Sequence, residues 1–260
     1  MSGGAFVNYF SSESVAKRYA RGRPAFHRHV IDRLRLLLAP SLPFERALDV
    51  GCGTGGSTTV LEGLASKIIG VDPSLPMLLC GVTRGQFACV TGRGENLPFA
   101  DETFDLLTVS SAFHWFDRKV FLAEAGRVLR PAGILVVYDN YFSGNALETD
   151  DLVRWVFDVY RPKYPAPPRA PVDFEPGATE DRFRCLHREE YENTVAFKRK
   201  ELIEYLLTQT NVIAAVEEGG QPLESVSEWL RRELQPFFTR GSITIRFGGP
   251  IWILIRENVR

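Results

Sequence analysis

Apolar and polar positions change period along this chain, and the changes mark its elements. Near the start, Phe26, Val30, Leu34, Leu37 and Leu38 recur at helical spacing, with Arg28, Asp32, Arg33 and Arg35 between them. Pro40 and Pro43 end that helix. Short apolar runs follow at Ala47–Val50, Lys67–Asp72, Phe87–Thr91, Asp105–Ser110 and Ile134–Asp139, the kind of run a buried parallel strand shows on both faces. Helix-like segments separate them near Gly55–Ser66, Ser74–Val82 and Arg118–Leu129. This alternation predicts an α/β protein whose parallel sheet is doubly wound with right-handed crossovers.

Beyond Asp139 the pattern loosens. Asn145–Tyr160 is compatible with a helix, but Arg161–Pro171 holds five prolines in eleven residues and is expected to be irregular, either a lid or a disordered loop. Phe157, Tyr160 and Tyr164 tip the reading to a lid, since a solvated linker has no need of aromatic surface. Two helical segments follow at Lys198–Glu217 and Ser225–Phe237. SITIRF and IWILIRE, joined by Gly248, Gly249 and Pro250, read as a terminal β-hairpin. No internal repeat is visible. The expected organisation is a helical cap over 1–43, a cofactor-binding core over 44–141, a lid or acceptor-binding insertion over 142–190, and helices and strands over 191–260 that complete the core.

Composition narrows the function classes. With 45% hydrophobic and 24% charged residues over 260 positions, the chain can bury a full core. No run approaches the roughly 18 apolar residues of a membrane span, and the first residues lack a basic-then-apolar signal, so a cytoplasmic address and no membrane partner are expected. Lys+Arg 31 against Asp+Glu 32 gives a formal charge of −1, which offers no electrostatic footprint for nucleic acid. Cys52, Cys80, Cys89 and Cys185 form no C-x-x-C pair, and no metal spacing is present. His27 and His29, two apart on a helix, face different ways and cannot share a metal.

The chemistry concentrates in LDVGCGTGG, Leu48–Gly56, where a predicted strand runs into glycines that let backbone N–H groups approach a ligand. Gly51, Gly53 and Gly56 satisfy a dinucleotide fingerprint, and Asp72 stands about twenty residues on, where a ribose-binding acid belongs. At this point an NAD-dependent oxidoreductase and a cofactor-binding protein without turnover both stay open. The same stretch also reads D-x-G-x-G-x-G, from Asp49 through Gly51, Gly53 and Gly55.

That second reading resembles motif I of the class I S-adenosylmethionine-dependent methyltransferases, and the resemblance extends from Ala47 to Asp139. Asp72 in GVDPS, ENLPF followed by DETFDLL, SSAFHWF, and RVLRPAGILVV stand in the family's order and spacing. SSAFHWF is similar to the small-molecule branch that includes trans-aconitate and juvenile hormone acid methyltransferases. The resemblance implies a Rossmann-like, doubly wound, seven-stranded sheet with an antiparallel terminal hairpin, an N-terminal helical cover and a lid inserted after the fifth strand. It implies S-adenosylmethionine as donor, S-adenosylhomocysteine as product, and a small-molecule acceptor methylated at oxygen, a carboxylate or a hydroxyl.

Carried onto this chain, Gly51, Gly53 and Gly55 would meet the methionine part, with Asp49 near its amino group. Asp72 would accept from the ribose diol, an acceptor-only carboxylate suiting two adjacent hydroxyls. Pro73 would lie on the adenine, and Arg93, Gly94 and Glu95 would meet its edge. Relatives often carry an aspartate where Arg93 stands, so a backbone carbonyl, Glu95 or a stacked guanidinium must serve instead. Ser110, with His114 and Trp115, would stand at the end of the fourth strand facing the transferred methyl. Trp115 would bind an acceptor carboxylate, and His114 would take a proton from a hydroxyl acceptor. Tyr19 and Arg23 would close the site, Arg23 complementing an acidic acceptor.

Overall fold

The computed structural model describes residues 8–82 and 87–257; residues 1–7 of the expected cap lie outside them. Two amphipathic helices come first, α1 (Glu13–Gly22) and α2 (His27–Leu37). Ser12 caps α1 by accepting from the Val15 N–H at 3.2 Å. α2 turns Val30, Ile31 and Leu34 inward. Then β1 (Phe44–Val50), α3 (Gly56–Val60), β2 (Ala65–Asp72), α4 (Leu75–Val82), β3 (Ala88–Thr91), β4 (Phe104–Ser110), α5 (Arg118–Val128) and β5 (Leu129–Tyr138) alternate as the pattern predicts. α3 is shorter than expected. Its β-branched Thr58, Thr59 and Val60 favour a helix weakly, Leu61–Gly63 tightens into a 3₁₀ turn, and Ser66 already belongs to β2.

The remaining elements are β6 (Tyr141–Ala146), α6 (Asp151–Trp155) continuing through a π turn into α7 (Arg161–Lys163), β7 (Thr179–Glu180), β8 (Phe183–Lys198), α8 (Arg199–Leu206), α9 (Thr210–Glu217), α10 (Leu223–Leu234) and β9 (Ser242–Arg256). They form one mixed sheet in the order β3-β2-β1-β4-β5-β9-β8-β7, with β6 pairing β9. Strands β1 to β5 are parallel to one another, and β9 runs antiparallel to β5, β6 and β8. This is a Rossmann-like fold whose order reverses between β1 and β4. Among the described residues, two short strands, β6 and β7, raise the expected count of seven to nine.

Period-two alternation sorts the central strands between two cores. Leu48, Leu107, Leu135, Val137 and Trp252 face α5, where Phe121, Leu122 and Ala125 meet them. Ala47, Leu106, Ile134, Val136 and Ile253 face α2. Each fully buried large side chain contributes roughly 1.5–3 kcal/mol. A third, aromatic core joins the C-terminal helices to the first half of β9.

Four expectations beyond Asp139 are corrected. The chain from Ser242 to Arg256 is one fifteen-residue strand rather than a hairpin. Gly248 and Gly249 permit close approach there instead of a turn, since a Cβ on them would come within 2.4 Å of the Tyr191 and Asp139 carbonyl oxygens. The antiparallel partner is β8, which pairs along its whole length and runs through the 190/191 position where the insertion was expected to end. β8 shows no apolar run because its inward positions include His187, Glu189, Tyr191 and Asn193, and a bulge falls between Cys185 and His187. Asn145 lies in β6 and not in a helix. Finally, Tyr160 and Tyr164 are 3% and 1% exposed, packed with Trp155 and Trp229, so they anchor the proline-rich segment rather than present a lid surface.

Candidate active site

The carboxyl ends of β1, β2, β4 and β5 converge where the strand order reverses, the place at which open α/β sheets bind ligands. A cleft of about 1010 Å³, open mouth included, occupies this position. Its floor is the turn after β1. Gly51 and Gly53 adopt φ of 73° and 54° and both line the cleft, a left-handed conformation that glycine adopts without strain. A Cβ on Gly51 would come within 2.5 Å of Ala112 Cβ. Gly55 is also left-handed, at φ 82°, and precedes α3 outside the lining.

Two aspartates bracket this turn. Asp49 is fully buried and accepts from Ser57 Oγ at 2.6 Å, Thr58 Oγ1 at 2.7 Å and Thr108 Oγ1 at 2.8 Å. Its register partner on β4 is Thr108, so one carboxylate ties β1, β4 and the first turn of α3 together. Asp49 therefore meets the cleft only through the turn it supports. Asp72, at the end of β2, lines the cleft and accepts the Gly53 N–H at 2.9 Å and the Ser74 N–H at 2.8 Å. Burial pushes its pKa up to about 6, against the lowering effect of those two bonds. Pro73 and Met77 continue the wall beside it.

The opposite wall comes from the end of β4. Ser110 stands 3.4 Å from His27 Nδ1, which is 3.0 Å from the Tyr138 hydroxyl. Ser111 has φ 51°, uncommon for a side-chain-bearing residue, and also lines the cleft. A 3₁₀ turn over Phe113–Trp115 then brings His114 and Trp115 into the lining. Burial, with Arg169 nearby, lowers the His114 pKa to about 3, so its imidazole is neutral, and its Nε2 is buried without a partner among the described residues. His27 is likewise lowered, to about 4, by burial and Arg23, while His29 is exposed.

Tyr19 and Arg23 close the cleft from α1. The Arg23 guanidinium lies 4.6 Å from the Tyr19 ring and 5.4 Å from the Tyr205 ring, and donates to the Thr208 carbonyl at 3.1 Å. The single helix expected over Lys198–Glu217 breaks between α8 and α9, and that break brings Gln209 and Thr210 to the lining.

Arg93, Gly94 and Glu95 are not in the lining. Glu95 accepts the Asp117 N–H at 3.0 Å, Arg93 approaches Glu95 at 3.7 Å, and Gly94 packs under Phe116 and Phe121. Phe116 itself lines the cleft in front of that turn.

Several lining residues carry no sequence signal of their own. The Tyr9 ring lies tilted against Trp115 at 5.8 Å and Phe10 meets Tyr19 edge-on at 5.7 Å. Asp139, 3% exposed, accepts the Tyr141 hydroxyl at 3.0 Å. Its place at the end of a predicted strand was the available hint. Arg169 arrives from the proline-rich segment. Among the described residues no cluster of His, Cys, Asp and Glu is arranged to hold a metal ion, and no helix is long and apolar enough to cross a membrane.

Comparisons with known proteins agree with this geometry. Residues 48–137 match the family described as a methyltransferase domain. An uncharacterized methyltransferase of Mycobacterium bovis is 36% identical over 147 residues, 56% of each chain. A demethylmenaquinone methyltransferase of Corynebacterium kroppenstedtii is 43% identical over 96 residues, 36% of this chain and 42% of that protein. The chain thus spans about half the length of the curated relatives it matches. Among solved structures, a candidate type II methyltransferase from Anaeromyxobacter dehalogenans superposes with a TM-score of 0.61 at 21% identity, over 90% of this chain and 97% of that one. Residues 48–137 thus resemble a methyltransferase domain, and the whole chain has a Rossmann-like fold.

Proposed function

We propose that this protein transfers a methyl group from S-adenosylmethionine to the oxygen of a small-molecule acceptor. The observation that carries the reading is the cleft at the strand reversal, where two left-handed glycines and Asp72 face Ser110, His114 and Trp115 across one space. The residues fit the donor. Gly51 and Gly53 leave an uncovered backbone cradle for the methionine part, Asp72 keeps unused lone pairs for a ribose diol, and Pro73 with Met77 offers an apolar wall for the adenine. Asp49 supports the turn from beneath, and Tyr19 closes it from α1.

When bound, S-adenosylmethionine supplies an activated methyl group. The chain's own task is to position an acceptor atom in line with it and to exclude water. Trp115 would donate its indole N–H and cover the acceptor. A neutral imidazole with a strongly lowered pKa is a poor base, so His114 serves better as a hydrogen-bonding wall. This favours a carboxylate among oxygen acceptors, because it is ionised at neutral pH and needs no deprotonation. The demethylmenaquinone methyltransferase relative is named for a small molecule, which supports a small-molecule acceptor without bearing on its reacting atom.

Calorimetry tests the donor: S-adenosylhomocysteine is expected to bind in the micromolar range and NAD not at all. Tight NAD binding without S-adenosylhomocysteine binding would sink the reading. Single-turnover transfer from labelled donor to carboxylic acids, phenols and amines then tests the acceptor class, acids being expected to react.

A further inference from the structure

The proline-rich segment is fastened at both ends. Tyr164 is buried, its N–H donating to the Tyr160 carbonyl at 2.9 Å and its carbonyl accepting from Asn211 Nδ2 at 2.8 Å. Phe174 is buried against Phe113 and Trp252, with ring centroids 5.4 and 5.9 Å apart. Between these anchors the backbone forms neither helix nor strand, and prolines limit its conformations. Arg169 sits midway on this strap. Arg169 is exposed as a whole residue, yet its guanidinium lines the cleft, donating to the buried Thr210 Oγ1 at 3.0 Å and lying 5.3 Å from the Trp115 ring centroid.

Both groups in contact with this guanidinium, the Thr210 hydroxyl and the Trp115 ring, are uncharged. Arg23 is in the same position: its Nε is buried without a partner among the described residues. Of the cleft's two carboxylates, Asp72 accepts backbone N–H groups, while Asp139 accepts the Tyr141 hydroxyl and attracts Arg169 without forming an ion pair with it. S-adenosylmethionine brings a sulfonium, an ammonium and one carboxylate, a net positive charge. With it in place, cations outnumber anions in the cleft, which a further anion would balance.

The two guanidinium groups repel one another but touch different neighbours. Arg23 acts on His27, which faces Ser110 and stands 3.5 Å from where a Gly56 Cβ would lie, beside the glycine turn. Arg169 stands over Trp115 at the end of β4. We propose that Arg169 is the acceptor's anion-binding side chain, selecting small organic carboxylates, while Arg23 is left for the donor's own carboxylate. A planar guanidinium suits this because it offers a carboxylate two parallel N–H donors. The inference rests on the cleft being a methyl-transfer site.

The test is calorimetric and needs no turnover. Benzoate and hexanoate, with benzamide and hexanamide as uncharged isosteres, are titrated into the full-length protein saturated with S-adenosylhomocysteine. The acids are expected to bind at least tenfold more tightly than the amides. Arg169→Gln, which removes the charge and shortens the side chain, is expected to abolish that preference while changing the S-adenosylhomocysteine Kd less than twofold. Arg169→Lys should restore part of it. A preference that survives in Arg169→Gln overturns the proposal, as does a tenfold rise in the S-adenosylhomocysteine Kd, which would assign Arg169 to the donor. Acids that fail to bind beside bound S-adenosylhomocysteine sink the Arg169 proposal alone. Failure of S-adenosylhomocysteine itself to bind sinks the methyl-transfer reading beneath it.

Discussion

Asp49 and Asp72 flank one glycine turn and differ in what their oxygens meet. Asp49 is satisfied by three hydroxyls in the interior; Asp72 holds two backbone N–H groups and still faces the cleft. Because burial raises Asp72 to about 6, it is protonated below that pH. Accepting from a ribose diol stabilises the ionised form and lowers the pKa on binding. Affinity for S-adenosylhomocysteine is therefore expected to rise with pH up to about 6, by at most tenfold per unit, and to level off above about 7. Calorimetry from pH 5 to 8 checks this; a flat profile would remove Asp72 from the ribose. His114 carries a second residue-scale prediction. Neutral throughout that range, it should be replaceable: His114→Gln is expected to keep single-turnover methylation of a carboxylic acid within about threefold, whereas loss of a general base costs about a hundredfold or more.

At the scale of elements, β9 shows how glycine can mislead. Gly248-Gly249-Pro250 has the composition of a turn, yet the strand runs straight through it. Its first half pairs β6 and its second half pairs β5, while β8 accompanies both. What the glycines supply is room for neighbouring backbone: Asp139 on one side of the strand, Tyr191 on the other. Gly249→Ala would drive a Cβ into the Asp139 carbonyl, and backbone cannot yield as a flexible side chain does. A loss of about 2–4 kcal/mol is expected, measured by urea denaturation; a change below about 0.5 kcal/mol would show that the strand can shift. The break between α8 and α9 acts at the same scale. It frees the Thr208 carbonyl for Arg23 and turns Thr210 toward Arg169, so an interruption in a helix supplies two contacts at the cleft.

Across the whole molecule, the cleft is assembled from sequence-distant pieces: the segment before α1, α1 itself, four strand ends, the proline-rich strap and the α8–α9 break. The first half of the chain is legible without coordinates. Parallel strands covered on both faces are continuous apolar runs, and left-handed turns need glycine, so β1 to β5, the glycine turn, Asp72 and SSAFHWF all leave local marks. The second half is not legible in the same way. β8 is half exposed and fills inward positions with polar side chains that find partners only in the fold, as Glu189 does with Arg33 at 2.7 and 2.8 Å. The roles of Arg93 and Arg169 are likewise undecidable from local pattern, since a guanidinium on a long flexible stem shows no periodicity. The amino-acid sequence by itself determined the doubly wound core and the turn at its centre, because backbone geometry and burial constrain residue type position by position. Only the tertiary structure decided which charges share the cleft, because that depends on where a long chain returns and not on any residue's neighbours.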